Sequence, residues 1–244
     1  MKAIYKKELS VFFTTIIGPL IIGLFLLFNG LLLWSEISQI NIIDNAYASM
    51  AAFFTISPLI FLLFIPAVSM RTFSDEYNLG TIEVVITKPI TTLQIVCGKF
   101  LAILTLVIIS IIPTFLYVST IYLLGEKVGN LDLAGIFGSY IGLICLSSVF
   151  ASIGVFASSL SNNQIIAFVL AIIISVIFYF GFELLSTIPI LQPIDFILQK
   201  TGVLYHYNIM SKGLLMLSNI VYFISVSFMF IKLSEIVITN KKHN

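Results

Sequence analysis

Charge is what this sequence has least of. Its 244 residues include 12 Lys and Arg and 11 Asp and Glu, 9% of the chain, while 59% are hydrophobic. A soluble domain is about 25% charged and about 45–50% apolar, so a soluble globule of this length is excluded. The mean hydropathy of +1.14 agrees. A formal net charge of +1 supplies no basic field for phosphates, which excludes a nucleic-acid partner. Cys97 and Cys145 are the only cysteines, too few for a disulfide framework or a four-ligand zinc site. A nucleotide-binding phosphate loop is also missing, because the one Gly-Lys pair, Gly98-Lys99, is followed by Phe100 and lacks the upstream glycine. No base accompanies a serine as a hydrolase requires. The residues offer no catalytic centre, no metal site and no cofactor site of their own, and the chain reads as a non-enzyme.

What is present is a series of long apolar runs. Crossing a hydrocarbon core of about 30 Å takes about 20 helical residues. Six segments qualify: 14–34, 51–70, 100–124, 136–160, 165–186 and 217–237. Unpaired backbone amides are costly in lipid and no barrel-type alternation occurs, so the expected fold is all-α and integral to the membrane. The first run follows Lys2, Lys6 and Lys7, and Ala46-Tyr47-Ala48 resembles a cleavage site. A secretory apolar region is only about 7–15 residues long with its cut just beyond, so the first run is expected to be a retained span.

Basic residues orient the spans. With the N-terminus inside, Lys2, Lys6, Lys7, Arg71, Lys88, Lys99, Lys232, Lys241 and Lys242 lie on the inner side, and only Lys127, Lys200 and Lys212 lie outside. Both termini are therefore expected to be cytoplasmic. His206 and His243 then fall on opposite faces and form no metal pair. The outer segment 187–216 carries apolar islands at 188–191 and 196–198, which a solvated loop would not hold, so it is expected to enter the interface or pack on helix tops.

The inner loop 71–99 is the informative connection. It runs through Asp75, Glu76, Gly80, Thr81, Ile82, Glu83, Val85, Ile86, Lys88 and Pro89. Gly80 permits a sharp turn and Thr81 can cap a new helix. Glu83 in its first turn and Lys88 in its last match the helix dipole, and Pro89 ends it. Ile82, Val85 and Ile86 share one face. This spacing predicts a two-turn amphipathic helix between the second and third spans. Such a helix suits a groove on a cytosolic partner; it equally suits the lipid headgroups. Thr91 and Gln94 form a capping box that starts the third span.

The stretch Arg71 to Pro89, continued through Gln94, Gly98, Lys99 and Phe100, resembles the inner loop of type-2 ABC exporter permeases. Further blocks extend the likeness over nearly the whole chain: Phe25 to Gly30, Gly129 to Asp132, Gly138 to Leu143, Ser158 to Ile165 and Tyr179 to Glu183. Together they are similar to the gliding-motility-associated permease subunit of that superfamily. Ile17 departs from the family pattern, which commonly has proline before the glycine at Gly18; here Pro19 follows instead.

The resemblance implies a single transmembrane permease domain over 1–244, with six helices, in the bacterial inner (cytoplasmic) membrane. It makes 81–88 a coupling helix that docks on a separate cytosolic ATPase, with ATP and magnesium on that partner. It also implies pairing with a second permease subunit, identical or sister.

Two further features complete the reading. Tyr5, Leu9, Phe12 and Phe13 share one face of the N-terminal segment and Lys2, Lys6, Lys7 and Ser10 another, as in an interfacial helix. Glu183, the one carboxylate embedded in an otherwise apolar span (the last span carries Lys232 and Glu235 near one end), is a candidate for the substrate path, with an interfacial or helix-packing role as the alternative. An ion-coupled secondary transporter would want several mid-membrane ionisable groups and internal repeats, which are not found. A non-transporting scaffold of an envelope machine stands as the other alternative.

Overall fold

Apolar segments of this length can satisfy their amides in lipid only by turning helical. The computed structural model describes residues 1–35, 42, 49–81, 90–125 and 131–243, with Leu191, Lys242 and His243 described in backbone alone. Among the described residues there is no strand. Six helices are long and apolar enough to cross a membrane: Ile17–Trp34, Ala51–Asn78, Thr92–Leu124, Leu133–Leu160, Gln164–Ser186 and Leu217–Lys241. The chain is an all-α membrane protein.

The chain begins with α1 (Lys2–Thr14), which turns at Thr15 and Ile16 into α2 (Ile17–Trp34), the first span. Helix α1 buries Glu8 and Phe12 against the third span, while Phe13 stays exposed. The second span is α3 (Ala51–Ser69) followed directly by α4 (Arg71–Asn78). The third is α5 (Thr92–Ile111), a 3-10 turn at Ile112–Thr114, and α6 (Phe115–Leu124). Pro113 sits in that turn, where its missing amide breaks the regular ladder. Helix α5 begins at Thr92 and not at the apolar run, because the Thr91 hydroxyl caps it by accepting from the Gln94 amide at 3.3 Å. Lys99 is thereby drawn out of the expected loop and into a helix.

The fourth span, α7 (Leu133–Leu160), is the axis of the bundle. It is buried along most of its length, whereas less than a third of the first, fifth and sixth spans is buried. Small residues let neighbours approach it closely. A Cβ on Gly154 would meet the Ser69 side chain at 2.0 Å, and one on Gly138 would meet the Gly213 carbonyl at 2.7 Å. Asn163 caps α8 (Gln164–Val176) through a bond from the Ile165 amide at 2.8 Å. The fifth span then passes through a π-turn at Ile177–Gly181 and ends in α9 (Phe182–Ser186).

The segment 187–216, expected on the outer side, forms a 3-10 turn (Pro189–Ile194), α10 (Asp195–Thr201) and α11 (Val203–Met210), leading to α12 (Leu217–His243). Its apolar residues divide between two environments. Val203, Tyr207 and Met210 are buried in the bundle, and the Tyr207 hydroxyl donates to the Phe54 carbonyl at 2.5 Å. Ile190, Phe196 and Ile197 stay exposed. His206 stacks on Tyr222 at 3.9 Å and bonds to Asn219 and to the Lys200 carbonyl, so it joins the outer segment to the sixth span.

Candidate functional site

The second span is 28 residues long, about 42 Å at a rise of about 1.5 Å per residue. That exceeds a hydrocarbon core of about 30 Å, so α4 projects beyond it. The sequence has no proline or glycine between Met70 and Leu79 to stop the helix.

The ladder is nevertheless altered where α3 meets α4. Ser158 of α7 donates its hydroxyl to the Met70 carbonyl at 2.9 Å and accepts from the Phe73 and Ser74 amides at 3.0 and 3.2 Å. A side chain inserted into the ladder is a recognised cause of a helix bend. The Ser74 hydroxyl reaches back to the Ser161 carbonyl at 2.9 Å. Neighbouring carbonyls are also taken up: Ser69 donates to Pro66 at 3.2 Å, Thr72 to Ser69 at 2.6 Å, and the Lys99 ammonium to Thr72. Asp75 accepts from the Gln164 side chain at the start of the fifth span.

Beside this junction lies an ion-pair square with three buried corners, Glu8, Glu76 and Lys99, and one exposed corner, Lys7. Lys99, only 1% exposed, pairs with Glu8 at 3.1 Å and with Glu76 at 3.0 Å. Lys7 pairs with the same two carboxylates at 3.2 and 2.9 Å. Two ammoniums and two carboxylates balance one another, which is how charges tolerate burial. Burial pulls the Lys7 pKa down, but the hydrogen bond and charge of Glu76 and the charge of Glu8 outweigh it and leave the net shift upward. Lys99 also lies over the Phe73 ring at 4.8 Å. From the sixth span, Lys241 bonds to the Ser159 carbonyl at 3.1 Å and covers the Tyr77 ring at 4.0 Å. Helix α4 is thus tied to α1 and to the third, fourth, fifth and sixth spans.

Of the residues singled out in the inner loop, Asp75 and Glu76 lie on α4 and make the contacts above. Gly80 takes φ +67 just past the helix end, a left-handed conformation that favours glycine. The Thr81 hydroxyl points back to the Glu76 carbonyl at 3.4 Å. Ile82, Glu83, Val85, Ile86, Lys88 and Pro89 lie outside the described residues, and with them the expected amphipathic helix. Glu183 lies far away in α9, exposed and close to the C-terminal end of the fifth span.

Lys7, Glu8, Lys99, Ser74 and Ser158 were not anticipated as site residues. A signal did exist for two of them. Glu8 is the one acid in a lysine-rich helix, and Lys99 begins a run of apolar residues. A charge near a span end calls for a partner. The role of Ser158 had no signal, since nothing local distinguishes it from Ser159.

The family model for ABC-2 family transporter proteins matches residues 3–239. The chain belongs to that family. No curated protein matches the chain. An ABC-2 permease is the membrane component of a transporter, not itself catalytic, and such components generally work with an ATPase subunit. In this ABC-2 protein the match takes in the projecting α4, the first five spans, and all but the end residues of α1 and the sixth span.

Proposed function

We propose that this ABC-2 permease is the membrane subunit of an exporter of the gliding-motility-associated type, driven by a separate cytosolic ATPase. The observation that supports this reading is the position of α4. It continues the second span past the hydrocarbon core, contacts every span but the first, and ends three residues before 82–88 in the sequence. A force applied to 82–88 by a closing ATPase would pass along α4 and act on several spans together.

In this reading 81–88 is the coupling helix, and ATP and magnesium belong to the partner. The whole chain forms one permease domain in the bacterial inner membrane with both termini cytoplasmic, as the placement of its basic residues favours. The first and fifth spans, less than a third buried, offer surface for a second permease subunit. Glu183, exposed toward the outer end, is available to a substrate path or to the headgroups. The test is co-expression with the ABC ATPases of the same genome and reconstitution in nanodiscs. A stable complex that hydrolyses ATP faster than the ATPase alone is expected. Failure of any such ATPase to associate would favour the scaffold reading.

A further inference from the structure

Two prolines, Pro58 and Pro66, stand inside the second span. A helical proline leaves the carbonyl four residues back without its amide. For Pro58 that carbonyl belongs to Phe54, in a stretch buried within the bundle. A carbonyl freed inside a membrane protein needs another donor. The donor here is the buried hydroxyl of Tyr207 on α11, 2.5 Å away.

Helix α11 is itself held on the fourth span. The Ser139 hydroxyl donates to the Ser211 carbonyl at 2.9 Å, just past the end of α11. Met210 packs so closely on Gly142 that a Cβ there would lie 2.7 Å from the Met210 Cβ. Tyr207 therefore ties the second span to the fourth at the end remote from α4, as Ser158 ties them beside α4. The two ties differ in kind. Ser158 belongs to the fourth span and makes three bonds to the backbone of the junction. Tyr207 makes one bond, from a separate eight-residue helix followed by Gly213 at φ +82. Among the described residues it is the one hydrogen bond that joins 51–56 to another element. Next to Pro58, the buried Ser57 hydroxyl donates to Asn29 of the first span at 3.0 Å, which fixes the point about which 51–56 would turn.

We propose that Pro58 is a hinge and Tyr207 its latch. When the Tyr207 hydroxyl releases the Phe54 carbonyl, 51–56 swings away from the fourth span about Pro58, while the other half of the helix stays bonded at Ser158. Water entering at that end takes over both groups, so opening exchanges one hydrogen bond for others and costs little. A transporter opens its two ends in turn, and this latch governs the end opposite α4. The inference rests on the chain being the membrane component of a transporter, as its family is, and not on the coupling reading. Its test needs no ATPase.

The test is a set of electron-spin distances in the full chain in nanodiscs, with Cys97 and Cys145 replaced by alanine. One label pair, at the exposed Thr55 and Ala134, spans the latched end, and another, at the exposed Asn78 and Leu160, spans the Ser158 end. Tyr207→Phe should add a longer Thr55–Ala134 distance and raise its population about three- to tenfold, the ratio set by one hydrogen bond between packed membrane helices. The Asn78–Leu160 distance should not change. Pro58→Ala returns an amide to the Phe54 carbonyl, so Pro58→Ala/Tyr207→Phe should recover the short distance alone. Unchanged Thr55–Ala134 distances in folded Tyr207→Phe would overturn the proposal. So would lengthening of both pairs together, the mark of general loosening, or a long distance that persists in the double variant. Should Tyr207→Phe not fold, the double variant decides: with the latch made unnecessary it must fold closed, and failure to do so would equally overturn the proposal.

Discussion

Ser158 fills the rung that Met70 leaves open: its hydroxyl donates to the Met70 carbonyl at 2.9 Å while accepting from the Ser74 amide at 3.2 Å. Met70 and Ser74 are four residues apart, the spacing at which a regular helix would bond its own carbonyl and amide. The fourth span has thereby become part of the backbone ladder of the second. The two helices cannot move independently at this point without breaking buried hydrogen bonds.

Removal of that hydroxyl should therefore be costly out of proportion to its size. Ser158→Ala leaves a buried carbonyl and two buried amides short of a partner, with an expected cost of about 1–3 kcal/mol. The neighbouring Ser159 hydroxyl bonds only to the Phe156 carbonyl of its own helix, so Ser159→Ala is expected to be nearly silent. Thermal unfolding of the two variants in one detergent measures the difference.

The ion-pair square makes a second stability prediction. Lys99→Met strands Glu8 and Glu76 with Lys7 as their only cation, and breaking a buried pair from one side costs about 3–5 kcal/mol. Neutralising the stranded partner in Lys99→Met/Glu76→Gln should recover part of the loss. Unfolding midpoints of the single and double variants give the coupling directly. Additive losses would mean that the square is not a unit.

Close approach at the bundle axis can be tested with a single carbon. Gly154→Ala places a Cβ 2.6 Å from the Ser69 Cβ, an overlap that overpacking data put at about 1–3 kcal/mol. Gly23→Ala, on the first span, meets nothing within 4 Å and should be neutral or slightly stabilising through helix propensity. Expression level and melting temperature compare the pair.

These positions show what a sequence can and cannot carry. All six spans were legible, because about 20 apolar residues in a row have one outcome in a bilayer. The cap at Thr91 was legible because it acts on its own backbone. For the third span the cap at Thr91 marked the helix start, whereas the apolar run from 100 marked only where the hydrophobic stretch begins. The square was hidden for a different reason. Lys99 and Glu8 are 91 residues apart and Lys99 and Glu76 are 23 apart, and only the folded bundle brings them together. Ser158 is the extreme case, an ordinary serine whose role is set by a break in another helix.

Membrane orientation follows from the basic residues and has a direct test. Reporters fused after Asp44, Lys127 or Lys200 should read external, and those after Asn78 or Asn163 internal. A cytoplasmic signal at Lys127 would reverse the orientation and remove α4 from the ATPase's side.

The central claim is that an ATPase drives this permease through 81–88. The most direct measurement is co-purification and ATP turnover of the complex with Glu83→Lys and with Ile86→Gln, against Asn78→Ala as a control at the exposed end of α4. Glu83→Lys puts a cation at the start of the expected helix, and Ile86→Gln removes apolar contact worth about 1.5–3 kcal/mol, or about tenfold or more in affinity. The account predicts that both lose ATPase association and stimulated turnover with membrane insertion intact, while the control keeps them. Full association and turnover in both variants would contradict it.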